Sequence, residues 1–481
     1  MPLLFLIVPV VCIFILNLPR RTTGGRLATW VVGAACLIQA FIAVTSGQGF
    51  WRCVDHVLTL PVPVSLKVDY ISGIILFTIA LVAAAANVVG LGSDLRRRQS
   101  LGSLTLILMA GMNGVVMVDD LFSLYIFLEI TAVSSFILIA MEKKLDALEG
   151  AFKYLVLSGL ATASMLAANM LIFMRLGSLR FADVAEALSS GALITSGTLL
   201  SSGELTVGVA LVLYVAAFCV KAGVAPFHGW LPGAYSSASS SVSVLLAGIV
   251  TKVAGVYVVI RLEHSVFAGI AAPGRAFMIL GAFSIVIGAF AAIGQKSMKR
   301  ILAYSSISQV GYIILAAGLG TPLALAGALL HFFNHATFKS LLFVNAASVQ
   351  EQCGSDNTEN LGGLSEKMKV TGWTSVIGFL STAGIPPLSG FWSKLLIIMA
   401  LIAAGHWGFA ALALLMSVVT LGYFLVLQHK VFFGRLREGL EGIREGRISL
   451  ISVSLVLAVL TVAAGVLFPV VLVIMHNSGL V

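Results

Sequence analysis

The sequence predicts an all-α, polytopic membrane protein with about 14 transmembrane helices. Hydrophobic residues make up 59% of the 481 residues, and charged residues make up only 10%. Apolar runs of about 20 residues, long enough to cross a bilayer, recur from one end of the chain to the other. The basic residues are concentrated in alternate loops, as in proteins that pass repeatedly through a membrane. These observations leave no stretch long and polar enough for a sizeable soluble domain.

Fourteen apolar runs are the candidate spans. Two of them are short, and one is long because glycine and proline interrupt it. None shows the alternation of apolar and polar residues that is typical of a β-strand. In chain order the runs are 3–18, 27–46, 70–92, 100–117, 121–141, 151–174, 206–225, 242–262, 275–294, 301–319, 322–348, 370–402, 408–429 and 449–475.

The loops, numbered by the span that they follow, differ strongly in positive charge. Odd-numbered loops hold 18 Lys and Arg residues, among them Arg20 and Arg21, whereas even-numbered loops hold six, among them Arg52. Because positive charge stays inside, this bias predicts odd loops in the cytoplasm and both termini outside a bacterial or archaeal cytoplasmic membrane. Residues 1–18 lack a basic start, so we interpret them as a retained first span and not as a signal peptide.

The composition also bears on cofactors and partners. The net charge is +9, but the basic residues are scattered over short loops, so no nucleic-acid partner is predicted. The cysteines have neither metal-ligand nor disulfide spacing. We therefore expect no cofactor and no metal on this chain, and any redox chemistry must lie on a partner chain. The five cysteines are Cys12, Cys36, Cys53, Cys219 and Cys353.

Glu129 lies in the middle of the fifth run, LFSLYIFLEITAVSSFILIA. A carboxyl group in hydrocarbon is rare and costly, which makes a functional role the first hypothesis. Lys221 is its expected ion-pair partner, and separating the two charges would release a proton from the lysine. The alternative is a neutral glutamic acid that forms a hydrogen bond to a neighbouring helix.

Lys153 begins the sixth run, four residues after Glu149. Residues four apart lie on one face of a helix, so these two side chains are expected to pair. Lys153 belongs either to the proton path or to the inner headgroup region, and the expected pair favours the path. The next loop, 175–205, is the longest on the outer side, and its residues 181–188 predict a short amphipathic helix.

The stretch 211–261 places Lys221 and Lys252 near the middle of two apolar runs. A lysine within a spanning helix costs about 2.5–3.5 kcal/mol, so function is the default hypothesis. Pro226 breaks or kinks the helix after Lys221, and a broken helix beside a buried charge resembles the sites of ion transporters. Alternatively, Lys252 snorkels to an interface. His228 either relays a proton or caps a loop.

His331, His335 and Lys339 follow one another at intervals of four residues in HFFNHATFKSLLF. This spacing puts all three on one helix face. Two histidines at this spacing can bind zinc, but no acid or cysteine nearby in the sequence offers a third ligand. We therefore favour a proton relay, which histidine suits because it titrates near neutral pH.

Lys394 lies in a second interrupted run, STAGIPPLSGFWSKLLIIMA. Lys221 precedes the proline of its run, whereas Lys394 follows the prolines of its own. This reversed order is expected of two inverted five-helix repeats, each with a broken helix. The predicted parts are N-terminal helices 1–3 (1–99), a first repeat of helices 4–8 (100–262), a second repeat of helices 9–13 (275–430), and an inner-surface segment with a C-terminal helix (431–481).

Residues 431–447, VFFGRLREGLEGIREGR, are charged and compatible with a helix. We expect this segment to lie along the inner membrane surface.

Together these motifs resemble the antiporter-like subunit superfamily. Its members are the proton-pumping membrane subunits of respiratory complex I, the large subunits of Mrp-type sodium/proton antiporters, and their counterparts in membrane-bound hydrogenases. The resemblance covers nearly the whole chain and is strongest over residues 120–430. It rests on FLEI, KAGVAPFHGWLP, LLAGIVTKVAGVY, KRILAYSSISQVGY, HFFNHATFKSLLF, LGGL and GIPPLSGFWSK, in that order.

The resemblance implies a role for each matching residue. Glu129 and Lys221 match the ion pair of the first half-channel. Lys252 matches the lysine that receives the proton and passes it sideways. His331 and His335 match the central relay, and in the same way Lys394 matches the exit group of the second half. The family is also known for a hydrated axis of such groups through the middle of the bilayer.

Some positions depart from the family pattern. Tyr235 and Ser239 stand where relatives usually have histidine and proline, which puts any role of that histidine in doubt. Lys394 in place of an acid argues against the middle pump subunit of complex I and is closer to Mrp D-type and hydrogenase subunits. The chain ends soon after the last run, so the long lateral helix of the family's largest subunit is expected to be absent.

We therefore predict a proton-translocating, non-redox membrane subunit of a multisubunit energy-converting complex. Its expected partners are further antiporter-like and other membrane subunits, peripheral redox subunits, lipid, and protons or also Na⁺. The first alternative is a subunit of an Mrp-type Na⁺/H⁺ antiporter. The others are a non-conducting scaffold for a redox arm, which has no need for costly buried lysines, and a free-standing solute transporter, for which no substrate pocket can be identified.

Overall fold

A computed structural model of the chain describes residues 2–18, 24–48, 58–59, 65–190, 202–268 and 270–477. The side chains of Arg20, Arg21, Arg52 and Cys53, and part of the predicted outer loop, lie outside these residues. Helices dominate the described part of the chain, and every one of the predicted apolar runs overlies a helix. The prediction of an all-α polytopic membrane protein is confirmed.

The helices are numbered in chain order. They are α1 (Leu4–Asn17), α2 (Gly24–Gln48), α3 (Tyr70–Val89), α4 (Leu95–Met117), α5 (Leu121–Ala140), α6 (Leu145–Leu176), α7 (Phe181–Ser189), α8 (Ser202–Ala222), α9 (Leu231–Ser237), α10 (Ser240–Leu245), α11 (Val258–Ser265), α12 (Ala271–Ile293), α13 (Met298–Leu319), α14 (Pro322–Cys353), α15 (Lys369–Ala383), α16 (Ser389–Ala403), α17 (Trp407–Val431), α18 (Ile448–Val466) and α19 (Phe468–Asn477).

Within the described residues, 11 helices are long and apolar enough to cross a membrane, and Leu4–Asn17 and Ser389–Ala403 are shorter apolar helices. Three short 3₁₀ helices and one hairpin complete the described elements. The hairpin pairs β1 (Leu58–Thr59) with β2 (Ser65–Leu66) in antiparallel fashion. Its two-residue strands are too short to show a periodic pattern, which is why the sequence gives no signal for them.

Two predicted spans are interrupted as expected. The connection 223–230 separates α8 from α9, and the connection 384–388 separates α15 from α16. Each connection starts with a glycine in the left-handed region, Gly223 at φ 67° and Gly384 at φ 87°, where other residues are strained. Prolines within both connections prevent the helix from resuming at once. The inverted relation of the two repeats, and the boundaries assigned to them, stay predictions.

The span from Ser240 to Ser265 is not a regular α-helix. Between α10 and α11 it contains two π-helical stretches, Leu246–Val250 and Lys252–Tyr257. A Cβ on Gly255 would lie 2.2 Å from the backbone nitrogen of Ala222, so the bare glycine lets this helix touch the end of α8. The wider turns of a π-helix occur often at functional sites, and here they surround a buried lysine.

Helix α14 lies at the centre of the second half of the molecule. It packs against α13, α15, α16 and α18, and also against α3 from the N-terminal part. In the first half, α6 packs against both α8 and α9, so it spans the first break. The polar side chains in the middle of α14, and Ser158 and Asn169 of α6, are therefore enclosed by protein.

Among the described residues, contacts join loops of equal parity, which agrees with the predicted alternation of the loops. The orientation in the membrane stays a prediction. We call the two resulting surfaces the odd-loop face and the even-loop face. On the odd-loop face the pairs are Arg97 with Glu142, Lys296 with Glu359, and Arg447 with Glu351. On the even-loop face they are Asp69 with Arg261, and a β-bridge between Asp120 and Arg180.

The predicted amphipathic helix at 181–188 is confirmed as α7, whose apolar side chains are buried. The expectation of a helix-compatible segment at 431–447 is wrong. Apart from the last residue of α17 the segment forms turns, because glycines with positive φ, Gly434 and Gly439, interrupt it. It lies on the odd-loop face, where Glu445 accepts hydrogen bonds from the first amides of α15 at 2.8 and 3.4 Å.

The last predicted span is divided at Leu467 into α18 and α19. This division lies against the second broken helix. Trp392 donates its indole N–H to the carbonyl of Gly465 at 2.9 Å, and its ring stacks on Phe468 with 4.5 Å between ring centroids. The C-terminal helices thus hold α16 in place beside the break.

Candidate functional site

Lys221 lies in the last turn of α8, directly before the first break, and is 5% exposed. Its amine donates a hydrogen bond to Ser158 Oγ of α6 at 2.9 Å. Among the described residues it forms no ion pair, so the predicted pair with Glu129 is not made in this conformation. Glu129 on α5 is half-buried, and its charge still acts on Lys221. The carboxylate is therefore near the amine without holding it.

Lys252 begins the second π-helical stretch and is fully buried. Its amine donates to the carbonyl oxygen of Ala247, one wide turn earlier. The alternative in which Lys252 snorkels to an interface is wrong, because the amine ends inside the protein. Tyr235 donates to the Leu246 carbonyl at 2.9 Å and lies 2.6 Å from Thr251 Oγ1. The tyrosine therefore fastens α9 to the π-helical turn that carries the lysine.

His331 and His335 lie on α14 with their rings parallel, 6.2 Å between centroids and 2° between planes. The Nδ1 atom of His331 is 2.8 Å from Ser393 Oγ of α16. The other ring nitrogen of His331 and both ring nitrogens of His335 are buried without a hydrogen-bond partner among the described residues. Buried nitrogens of this kind are costly to leave unpaired, and they remain free to accept or donate a proton.

Lys339 continues the same face of α14 and is fully buried. It donates to Ser305 Oγ of α13 at 2.7 Å and to the Leu302 carbonyl at 3.3 Å. Its amine also lies 5.6 Å from the centre of the Phe424 ring, a distance at which a cation is attracted to an aromatic face. Tyr423 donates to the same serine at 2.9 Å. The lysine is thus positioned by neutral groups alone.

Lys394 lies on α16, just after the second break, and is 3% exposed. It donates to the carbonyl oxygens of Thr382 and Ala383 at 2.9 and 3.3 Å. These are the final carbonyls of α15, which have no partner within the helix and carry the negative end of its dipole. The amine also lies 4.7 Å from the centre of the Tyr312 ring. The break therefore supplies the acceptors that make a buried amine tolerable.

We call these buried lysines and histidines the buried basic row. The charges of Lys252, Lys339 and Lys394 all act on His335, and those of Lys339 and Lys394 act on His331. Like charges in a low dielectric disfavour each other, so a proton on one of these lysines disfavours a charge on the neighbouring histidines. The row consists of Lys221, Lys252, Lys339 and Lys394 with His331 and His335.

None of the four lysines in the row forms an ion pair with any described residue. An ionic group that loses its partner inside a protein is expensive to keep, and here partners are hydroxyls, carbonyls and aromatic rings. Such partners stabilise an ammonium ion less than a carboxylate does. The arrangement can therefore hold a proton and pass it on, which a tight ion pair would hinder.

Lys153 and His228 lie outside the row. Lys153 forms the expected ion pair with Glu149 at 2.5 Å, but both side chains are more than half exposed. His228 is half-buried in the first connection, with Nδ1 unpartnered and its ring edge-on to Tyr304. The ion pair that the sequence spacing predicts for Lys153 is therefore formed, but it lies at a surface of the protein.

That surface is the rim of a polar cavity of about 690 Å³ on the odd-loop face, the odd-loop cavity. Acidic and basic side chains and a run of serines line it. Gly150 of α6 packs closely on α9 at its floor, and Ser158, the partner of Lys221, lies two turns further along α6. The cavity therefore ends about two helical turns short of the serine that holds the first lysine of the row. Its lining includes Glu142, Lys144, Glu149, Lys153, Ser236, Ser237, Lys299 and Asp356.

The hydroxyl partners of the row were missed by sequence reasoning. Ser158, Ser305 and Ser393 lie in apolar runs, where a serine gives no distinctive signal. KRILAYSSISQVGY did offer a hint, because its polar residues are too many for a helix that faces lipid. In the structure α13 is almost entirely buried, and both polar atoms of the Gln309 side chain are unpartnered.

No group of three or more His, Cys, Asp or Glu residues in the described part of the chain could hold a metal ion. The polar groups that act on His331 and His335 are Ser393 and the lysines of the row, which do not complete the ligand set of a zinc site. The two histidines thus have neighbours that suit proton exchange.

Comparison with known proteins places this geometry among related chains. Residues 118–420 match the NADH:quinone oxidoreductase/Mrp antiporter transmembrane family. The N-type subunit of the NADH-quinone oxidoreductase of Desulforudis audaxviator is 32% identical over 436 residues, which cover 88% of this chain and 85% of that protein. The D-type subunit of the Na⁺/H⁺ antiporter of Alkalihalophilus pseudofirmus is 32% identical over 334 residues, 68% of this chain and 64% of that protein.

The fold also matches solved structures. A chain of the archaeal membrane-bound sulfane sulfur reductase, a respiratory membrane complex, superposes with a TM-score of 0.89 at 27% identity. The match covers 99% of this chain and 96% of the other.

Proposed function

We propose, because this chain belongs to the NADH:quinone oxidoreductase/Mrp antiporter transmembrane family, that it moves protons as one membrane subunit of a multisubunit energy-converting complex. The observation that carries the proposal is the buried basic row, in which four lysines are 5% exposed or less and lack a carboxylate partner. Groups as costly as these are retained where ions or protons move.

Other membrane subunits of the same complex lie beside this chain, and further antiporter-like subunits are among them. We assign redox cofactors to peripheral partner chains, since the related proteins named above include an oxidoreductase subunit and a respiratory complex. The odd-loop face, which carries most of the basic residues, is assigned to the cytoplasm of a bacterial or archaeal membrane. Both termini then lie on the outer side.

Protons enter from the odd-loop cavity and reach Lys221. In the described conformation Ser158 holds the amine, so the state is one in which Glu129 and Lys221 are apart. Closing this pair would stabilise the proton on Lys221, and opening it would favour its release. The released proton moves to Lys252, then across the histidines of α14 with Lys339, and leaves through Lys394.

Repulsion along the row makes the transfer sequential. A proton that arrives on Lys252 disfavours the charge on Lys339 and on His335, since like charges repel each other. Each arrival therefore promotes a departure further along. A partner subunit that moves the Glu129–Lys221 pair can drive the whole row in this way without touching its other members.

Lys221→Ala tests the proposal in everted membrane vesicles that contain the intact complex, with a fluorescent pH probe. Separate assays use NADH, sulfane sulfur reduction and an imposed Na⁺ gradient as the driver. We expect proton transport to fall at least about tenfold, because proton relays contribute factors of this size or more. The amount of assembled complex should stay unchanged, and Lys367→Ala, which removes an exposed lysine from the odd-loop face, should transport normally.

The same assays separate the alternatives. If only the Na⁺ gradient drives proton movement, the chain acts in a Na⁺/H⁺ antiporter, as the relationship to the D-type antiporter protein suggests. If Lys221→Ala transports normally with every driver, proton transport by this row is refuted, and a non-conducting scaffold for a redox arm becomes the better account.

A further inference from the structure

We propose that Glu263 is the group through which protons pass between the buried basic row and the even-loop face. This inference rests on the proposed function and adds a residue to it. Glu263 lies near the C-terminus of α11. The sequence placed it just beyond the predicted run 242–262, whereas the helix continues to Ser265 and keeps the carboxyl group within the protein.

Glu263 is 8% exposed, and its Oε1 atom is buried without a hydrogen-bond partner. It forms no ion pair or hydrogen bond with any described residue. A buried charged group that serves only the fold normally has a partner. A neighbouring charged residue on the same helix follows this rule. Arg261, two residues earlier and 5% exposed, is paired with Asp69. Glu263 is thus a buried acid that the fold leaves free.

The carboxyl group lies at a cavity of about 410 Å³, the even-loop cavity. Two exposed histidines, His264 and His406, and the exposed Arg275 also line it. The remaining wall comes from the segment after α11, the first turns of α12 and the end of α13, and it contributes no further titratable side chain. Imidazole and carboxyl groups are the usual acceptors and donors of protons near neutral pH. This cavity therefore places a buried proton carrier beside exposed ones.

A crossing of two glycines makes room for the carboxyl group. A Cβ on Gly274 of α12 would lie 3.3 Å from Glu263 Oε2 and 2.6 Å from the carbonyl oxygen of Gly318 on α13. Any larger residue at this crossing would push the helices apart or displace the acid. The space between α11, α12 and α13 is thus fitted to Glu263.

The even-loop cavity lies at the end of both helices that carry the central lysines. Lys252 and Glu263 are on one continuous helix, about three turns or 15 Å apart. Lys394 is on α16, which ends at Ala403 and leads directly to His406 at the cavity rim. A proton that leaves either lysine toward the even-loop face therefore arrives at the same cavity.

Apolar side chains separate the row from Glu263 in the described conformation. Val256 and Val259, which lie between Lys252 and Glu263 along the helix, are fully buried. Such a barrier is needed, because a path open at both ends would let protons leak back. Glu263 lies on the outer side of this barrier. There its carboxyl gives a proton to water in the cavity, and the resulting carboxylate takes the next proton from the row.

Glu263→Gln in the intact complex tests the inference with the same vesicle assay. Glutamine keeps the size and polarity of the side chain but cannot exchange a proton, so transport should fall at least about tenfold with normal assembly. Glu263→Asp, which retains the acid, should restore part of the transport, whereas a purely structural role would favour the glutamine. Glu186→Gln, which changes an exposed acid of α7 on the same face, should transport normally.

Comparison with Lys221→Ala separates the two proposals. If Lys221→Ala loses transport and Glu263→Gln keeps it, only the assignment of Glu263 is overturned. If both keep it, the proposed function itself fails. Loss in both variants, with partial rescue by Glu263→Asp, supports both.

A measurement of access complements the transport assay. Glu263→Cys is made in a chain whose five native cysteines are replaced, and the assembled complex is treated with a membrane-impermeant maleimide. We expect labelling from the even-loop face in right-side-out vesicles and none from the opposite face in everted vesicles. Labelling from the odd-loop face only, or no labelling in either orientation, would overturn the assignment.

Discussion

At the scale of single residues, the buried lysines of the row all donate hydrogen bonds to neutral oxygen atoms. Lys252 and Lys394 donate to backbone carbonyls that a π-helical turn and a helix end leave available, and Lys339 donates to a serine. None of these acceptors carries a full charge. The charged and neutral forms of each amine are therefore closer in free energy than they would be beside a carboxylate, which suits a group that must both accept and release a proton.

Asp69 and Arg261 illustrate the opposite case on the even-loop face. Burial raises the pKa of Asp69, but the charge and hydrogen bond of Arg261, with hydrogen bonds from Ser72, outweigh it and hold the pKa below the usual 3.8. A carboxyl group with a depressed pKa stabilises the folded state above its unfolded pKa, and this stabilisation is lost as pH falls through the folded-state value.

Asp69→Asn should therefore lower the free energy of unfolding by about 1 kcal/mol at neutral pH. The difference between variant and wild type should stay constant down to about the usual pKa of 3.8 and shrink below it. It should vanish once pH lies below the folded-state pKa, where the wild-type aspartate is protonated. Thermal unfolding of the detergent-solubilised protein across this pH range measures both effects. A difference that persists unchanged at the acid end would contradict the role assigned to the ion pair.

The residues that carry charge in the spans could be predicted from the sequence, but their partners could not. A lysine in an apolar run is conspicuous because its burial is costly. The serine that receives Lys221, and the separation of Glu129 from that lysine, depend on how α5, α6 and α8 pack. Glu263 was missed because the end of an apolar run is a poor guide to the end of a helix.

At the scale of elements, the π-helical span packs the helix of Lys252 against the end of α8, which carries Lys221. Its Gly255 touches the backbone of Ala222, the residue after Lys221. The proline-containing breaks could be predicted from the sequence, since proline removes a backbone donor. The π-helical turns could not, because glycine in an apolar run fits an ordinary packed helix equally well.

Gly255→Ala should destabilise this contact, because the added methyl group would lie 2.2 Å from the Ala222 nitrogen. Overpacking of this kind costs about 1–3 kcal/mol. We expect a lower unfolding temperature of the solubilised protein and weaker proton transport in vesicles.

Gly208→Ala is the matched control, since a methyl group at this position of α8 meets no atom within 4 Å. It should leave transport unchanged and stabilise its helix by up to about 1 kcal/mol. Equal stability of the two variants would contradict the close approach of α8 and the π-helical span.

At the scale of the whole molecule, two polar cavities on opposite faces flank a buried basic row. The odd-loop cavity of about 690 Å³ lies beside the first break, and the even-loop cavity of about 410 Å³ lies at the ends of α11 and α13. Neither cavity is lined by a member of the row in the described conformation. Under the proposed function, this is the layout of a path with two closed ends, and movement at each end would admit or release a proton.

The two faces could be predicted from the distribution of Lys and Arg alone, because insertion into a membrane sorts positive charge by side. The cavities could not, since their walls come from segments far apart in the sequence. Lys153 shows that the spacing of residues in the sequence predicts a pair but not its location in the fold. Its pair with Glu149 is formed as predicted, but only the packing of α6 against α9 shows that the pair lies at the rim of a cavity and outside the row.

The most direct test of the central claim is proton transport by Lys252→Met in the intact complex. Methionine fills a similar volume without a titratable group, and removing a buried charge without a carboxylate partner leaves no ion unpaired. We predict normal assembly and a loss of proton transport of at least about tenfold in everted vesicles. Transport at the wild-type rate in a fully assembled Lys252→Met complex would contradict the claim that protons pass along the buried basic row.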